Sequence, residues 1–239
     1  MGRDGRKQQL RKEKRNKRAK EKKKASLKDK SVSPFALLAK AESSPFVDCC
    51  INRSALDGGG IGNLLVSRSL PNGKIVHVIF LVDLHCLGIK NVVCGMVSQL
   101  ESGLFRNRIY RREPSCNLTP EEAKKLVVEA AAYAARYGLR AHEDYAKALA
   151  IFHGVDATEC PREFVFGQDG KPFYVNGPND SAQFQRRVCD TLLRTAGPGG
   201  YDFLMMVNGM PMQDWDEFDD DEFEEDDEFD DEPPIPIKG

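Results

Sequence analysis

Charge is segregated so sharply along this chain that its two ends cannot share a hydrophobic core. Residues 1–30 hold 15 Lys and Arg against 4 Asp and Glu, while Asp214 to Glu232 holds 15 acidic residues and no basic one. Neither run has enough apolar side chains to offset the entropy of ordering its backbone, so both are predicted to stay disordered in isolation. Folding is thereby confined to the middle, where residues 31–213 carry 19 basic and 18 acidic side chains. The formal net charge of −2 is a cancellation between the ends, which excludes a uniformly basic nucleic-acid-binding domain. The predicted organisation is a basic arm and linker over 1–45, a single domain over 46–208 and an acidic tail over 209–239. Within the linker, Phe35, Leu37 and Leu38 are the residues expected to dock on the domain.

The first half of the domain reads as strands. Phe46–Ile51 is a short apolar run, a glycine loop follows at Gly58 to Gly62, and Asn63–Leu70 and Lys74–Leu84 flank Pro71-Asn72-Gly73. An Asn-Gly pair adopts positive φ readily, so these two strands are predicted to form an antiparallel hairpin. Ile75–Val82 is almost continuously apolar and is expected to be covered on both faces. The second half starts with a helix: Thr119 caps it, Pro120 suits the first position, Glu122 completes a capping box, and Gly138 stops it. Its buried stripe is expected to be Ala123, Leu126, Val127, Ala130, Ala131, Ala134 and Tyr137. A second helix over Glu143–Phe152, a hairpin of Glu163–Gly167 with Lys171–Asn176, a third helix over Ser181–Ala196 and a strand Phe203–Val207 complete the pattern. The fold class is α+β, a mainly antiparallel sheet covered by about three helices.

Phe80-Leu81-Val82-Asp83-Leu84-His85-Cys86-Leu87-Gly88-Ile89-Lys90 and Phe166 through Asp180, with its Gln168-Asp169-Gly170-Lys171 and Asn176-Gly177-Pro178 steps, resemble motifs of a family of uncharacterised bacterial proteins. The resemblance covers roughly residues 46–208 and implies a single domain in a bacterial cytoplasm. It implies no activity and brings no catalytic residues. Seven cysteines without paired CxxC spacing read as reduced thiols, in keeping with a cytoplasmic protein. The arm lacks an adjoining apolar segment of signal-peptide type, and no apolar run approaches the roughly 20 residues needed to cross a bilayer.

Function is expected at the charged ends. Lys7, Arg11, Lys12, Lys14, Arg15, Lys17, Arg18, Lys20, Lys22, Lys23 and Lys24 form a dense cationic arm suited to neutralising the phosphates of RNA or DNA without reading bases. The plainer reading is a solubilising arm. In the acidic tail, Trp215, Phe218, Phe223 and Phe229 interleave with carboxylates, offering aromatic anchors either to a basic partner or to the chain's own cations. Arg106, Arg108, Arg111 and Arg112, and on the third helix Arg186, Arg187 and Arg194, extend the cationic surface or simply face water.

The chemistry-bearing candidates are few. Asp83 and His85 flank the end of the apolar strand, and a hydrolase or metal-dependent nuclease using them is the enzymatic alternative. Strand alternation would put both on one face and Cys86 on the other. Asp48, Asp83 and Asp180 are the carboxylates a two-metal site would need, in an order of elements similar to the opening of a ribonuclease-H-like fold. The Asp-Gly-Ser step after the first strand is missing, however, as is a well-placed helical Glu. Asp180 has a simpler role as a helix cap and Asp169 as a turn residue. The glycine loop lacks the Gly-Lys-Ser/Thr of a phosphate-binding loop and reads as a turn. A non-enzymatic binding protein without a cofactor or resident metal is the expectation, with no membrane partner.

Overall fold

The computed structural model describes residues 33–207 and 210–212. The arm cations and the tail aromatics lie outside the described residues. Five strands, β1 (Phe46–Asn52), β2 (Ile61–Ser69), β3 (Lys74–Asp83), β4 (Gly88–Ser98) and β5 (Ser115–Asn117), form one antiparallel sheet in the order β4-β3-β2-β1-β5. A smaller sheet joins β6 (Phe173–Val175), β7 (Asp202–Val207) and β8 (Met210–Met212), with β6 and β7 parallel. The helices are α1 (Pro34–Leu38), α2 (Gln99–Ile109), α3 (Pro120–Arg136), α4 (Tyr145–Ala148) and α5 (Ala182–Ala196), with 3-10 turns at Ala39–Ala41 and Leu149–Phe152. The class is α+β with a mainly antiparallel sheet, as the sequence predicts.

The β2–β3 hairpin forms around Pro71-Asn72-Gly73, but only Gly73, at φ +74, is left-handed. Its N–H donates to the Leu70 carbonyl at 3.0 Å and the Leu70 N–H donates to the Lys74 carbonyl at 2.7 Å. The connection is thus a three-residue loop closed by one left-handed glycine. Helix α3 begins as expected: the Thr119 hydroxyl accepts from Glu122 N–H at 3.2 Å and the Glu122 carboxylate accepts from Thr119 N–H at 2.9 Å. Its buried residues are Ala123, Leu126, Val127, Ala130, Tyr133 and Ala134, while Tyr137 sits half-buried against a second cluster.

Three expectations need correction. The segment over 88–109, with no element assigned beyond a connection carrying arginines, forms β4 and α2. Glu163–Gly167 is not a strand, because the Gly167 N–H donates to the Leu84 carbonyl at 2.9 Å; only a Gln168–Lys171 bridge survives of that hairpin, and β6 pairs with β7 instead. The second helix is a single α-turn followed by a 3-10 turn. Within the stretch read as a linker, Leu38 and Ala41 are fully buried in the main core. They are held there by Arg68 of β2. Its guanidinium donates to the carbonyls of Ala41 (3.0 Å) and Glu42, donates to His153 (2.7 Å), and lies 3.9 Å from the Phe46 ring centre.

The two faces of the large sheet are covered unequally. One buries Ile51, Leu64, Val66, Val76, Val78 and Phe80 under α3 and the 3-10 turn carrying Ile151 and Phe152. Each such side chain contributes about 1.5–3 kcal/mol relative to exposure. The opposite face carries Ile75, His77, Ile79 and Leu81 of β3, the alternate residues. Only α2 lies on it among the described residues: Phe105 stacks on His77 with ring centres 4.2 Å apart. The double coverage expected for β3 therefore holds only along part of its length, and Ile79 and Leu81 are half-buried.

Burial holds the His77 imidazole neutral and pushes its pKa down to about 4. An unfolded His77 takes up its proton near pH 6.5, so the unfolded state binds more protons between those values and stability falls as pH drops through that window. Urea denaturation at pH 7 and pH 5 should show a loss of about 2 kcal/mol in the wild type. His77→Gln should remove that part of the loss, and an identical pH slope in the variant would contradict the assignment.

Candidate functional site

Strand β3 ends at Asp83, and residues 84–87 turn the chain into β4, so His85 lies in a turn and not on the strand face that alternation predicts. The Asp83 carboxylate is 1% exposed. Its Oδ1 accepts the N–H groups of His85 and Cys86, both at 3.0 Å. The Leu87 N–H also lies against the carboxylate, while Oδ2 makes no well-formed hydrogen bond. Burial pushes the Asp83 pKa up, and these N–H groups and Lys90 oppose the shift. The carboxylate is thus occupied in shaping the turn, in the manner of an Asx motif.

The His85 imidazole projects the other way. A Cβ at Gly60, which has φ +70, would land on the ring, so the close approach requires glycine. Phe173 flanks the ring at 6.1 Å. His85 opens into a cleft of about 330 Å³ whose lining includes Gly58, Leu84, Arg162, Glu163 and Asp169. The imidazole has no hydrogen-bond partner among the described residues. Asp83 and His85 are therefore neighbours in sequence whose side chains share no hydrogen bond. Cys86 is fully buried and burial pushes its thiol pKa up, which keeps it protonated and unreactive.

The other carboxylates of the metal reading are dispersed into separate roles. Asp48 accepts Ser67 Oγ at 3.0 Å and pairs with Arg106 at 3.1 Å. Asp180 is not the cap of α5; that is Ser181, whose hydroxyl accepts the Phe184 N–H at 3.2 Å. Asp180 Oδ2 instead accepts Lys90 Nζ at 2.6 Å, Gly177 N–H at 2.7 Å and Tyr174 O–H at 3.2 Å. Among the described residues, no group of three or more His, Cys, Asp or Glu converges to hold a metal ion.

The arginines form a more continuous feature. Helix α2 is anchored at its end by Tyr110, whose hydroxyl accepts the Leu65 N–H at 3.2 Å and lies 2.5 Å from the Cys50 carbonyl. Between α2 and β5 runs a shallow groove of about 630 Å³ lined by Gly103, Arg106, Asn107, Tyr110, Arg111 and Ser115. Arg106 spans it, donating to Asp48 and to Asn117 Oδ1 at 2.9 Å. Arg108, Arg111 and Arg112 are exposed and pair with no carboxylate among the described residues, and exposed Arg53 joins them through its N–H bond to Pro114. On α5, Arg186, Arg187 and Arg194 line a second groove, of about 580 Å³, which also holds Asp190.

Sequence reading missed Tyr110 and the Lys90–Asp180 pair. The Ser98-x-x-Glu101 capping box, in which Ser98 Oγ lies 2.6 Å from Glu101, is the signal that announces α2 and with it the groove. No helix among the described residues is long and apolar enough to cross a membrane. Compared with known proteins, the chain matches no family model, no curated protein and no solved structure.

Asp83→Ala leaves two or three buried N–H groups unpaired and should cost about 2–4 kcal/mol in urea denaturation. Asp83→Asn, which retains an acceptor oxygen, should cost less. His85→Ala, at the mouth of a cleft, should cost about 1 kcal/mol or less. Equal losses for Asp83→Ala and His85→Ala would refute the assignment of the turn to the carboxylate.

Proposed function

We propose that the protein is a non-enzymatic binder of RNA or DNA, with the basic arm over 1–30 as its principal contact and the α2–β5 arginine groove as a second. The observation that carries the reading is the net positive charge of 11 on the arm, which no local carboxylates balance. Many cations acting on a phosphate backbone release counterions, and they need no preformed pocket. Arg111, which lines that groove, and exposed Arg108 and Arg112 support it by adding cations on a folded surface. The occupation of the Asp83 carboxylate by backbone N–H groups weighs against the hydrolase alternative. The unpaired thiols among the described residues fit a reducing, cytoplasmic setting.

Binding of a single-stranded oligonucleotide across a salt series tests the proposal in the full-length chain. Converting Lys7, Arg11, Lys12, Lys14, Arg15 and Lys17 to Gln should reduce the slope of log K against log salt by up to about 4, and the triple variant Arg108→Gln, Arg111→Gln, Arg112→Gln by up to about 2. Slopes equal to wild type in both variants, or no binding by wild type at low salt, would overturn it.

A further inference from the structure

The uncovered part of the large sheet is a shelf built for an apolar segment with negative charge around it. Its floor follows from the register. Ile79 pairs with Leu65 on one side and with Val93 on the other, so their side chains share the face that carries His77. Leu81 and Ile61 lie on the same face by alternation. Val93 is 50% exposed and Ile61 37%. Helix α2 forms the wall. Arg106 points to Asp48 and Asn117, on β1 and β5, so Leu104 and Arg108, two positions to either side of it, lie on the opposite flank, toward this floor. Leu104 is 68% exposed and Leu100, one turn earlier, 93%. Arg108 continues this side of the helix, and Arg111 and Arg112 follow just past the helix end, Arg111 also lining the α2–β5 groove; none of the three has a carboxylate partner among the described residues.

We infer that the acidic segment Asp214–Glu232 of the same chain docks on this shelf, with tail aromatics on Val93, Ile79 and Leu104 and carboxylates on Arg108, Arg111 and Arg112. The chemistry matches on both counts. The segment carries 15 carboxylates with Trp215, Phe218, Phe223 and Phe229 spaced among them, and the shelf is apolar with an unbalanced cationic border. Its reach is sufficient. The described chain ends at Met212 in β8, and at full stretch Phe218 reaches about 20 Å and Phe229 about 60 Å beyond it. A domain of this size has a radius of gyration of only about 16 Å. The α5 arginines are the rival surface, but their groove is lined by Arg186, Arg187, Asp190 and Arg194 without a large apolar side chain to receive an aromatic ring. The inference does not rest on nucleic-acid binding, although an occupied shelf places carboxylates beside the α2–β5 groove.

Trp215 is the single tryptophan of the chain, so its fluorescence reads the tail directly in the full-length protein. In dilute salt the wild type should show blue-shifted emission and reduced quenching by acrylamide, a neutral quencher, relative to a free tail peptide. Leu104→Glu with Val93→Thr, both at exposed positions, should return emission and quenching to the peptide values with the thermal transition retained. Arg108→Gln with Arg111→Gln should do so in part. Wild-type emission equal to the free peptide would overturn the inference. So would a signal abolished by Arg186→Gln with Arg194→Gln but untouched at Leu104, which would place the tail on α5. A shift that disappears on dilution would assign the shelf to the tail of a second copy and overturn the intramolecular assignment.

Discussion

The turn held by Asp83 is the junction on which both halves of the structure depend. One carboxylate fixes the N–H groups of His85 and Cys86, and the backbone so fixed offers its remaining groups outward. Leu84 N–H donates to the Gly60 carbonyl at 2.7 Å, the Leu84 carbonyl accepts Gly167 N–H, and the His85 carbonyl accepts Phe173 N–H at 3.1 Å. The glycine loop, the Gly167 segment and β6 are thus all registered on four residues. Leu84 belongs to the main core, whereas Cys86 and Leu87 belong to the second cluster with Tyr174, Val188, Leu192 and Met205. A buried carboxylate is costly to desolvate, and several N–H donors aimed at it are what make the position tolerable. The Lys90–Asp180–Tyr174 network adds a second tie between β4 and the segment before α5.

The large sheet is covered unequally. The N-terminal helix, α3 and α4 all pack on one face, and among the described residues α2 is alone on the other. Helix α2 has no fully buried residue, and its hold on the sheet comes from specific contacts: Phe105 on His77, Arg106 on Asp48, and Tyr110 on the backbone of β1 and β2. Such polar anchoring fixes position but covers little area. The half of the face beyond α2 therefore keeps an apolar floor, which a strand buried by helices on both sides would not.

What the sequence made legible was local chemistry. Capping boxes, the Asn-Gly turn and the stop at Gly138 act within a few residues, and Thr119–Glu122 and the β2–β3 loop form as those signals predict. Partnership over distance was not legible. Residues 173–175 have the composition of a hairpin strand, yet their neighbour is β7, some thirty residues on, because the His85 carbonyl draws Phe173 N–H away from a local partner. Asp180 sits where a helix cap is expected, but its charge is claimed by Lys90, ninety positions away. Asp83 and His85 stand together in sequence like an acid–base pair. The turn between them sends their side chains to different places, and periodicity alone does not reveal that the strand ends at Asp83.

If the chain binds a polyanion as proposed, the opposition of its two charged ends bears on how that binding responds to salt. A segment tethered to the surface it recognises acts at an effective concentration in the millimolar range, so even weak intrinsic affinity keeps it occupied. On the proposed reading, the carboxylates of residues 214–232 and the phosphates of a nucleic acid would compete for the same arginines, and both attractions would weaken as salt shortens the Debye length to about 8 Å at physiological ionic strength. The two differ in what salt leaves behind. Phosphate neutralisation by lysines has no apolar component, whereas aromatic rings docked as inferred against Val93 and Leu104 would retain contact area that screening does not reach. Under that reading, rising ionic strength would shift the competition toward the chain's own tail, and dilute salt toward the nucleic acid. That is a direct outcome of placing apolar side chains on one of the two competing anions and not on the other.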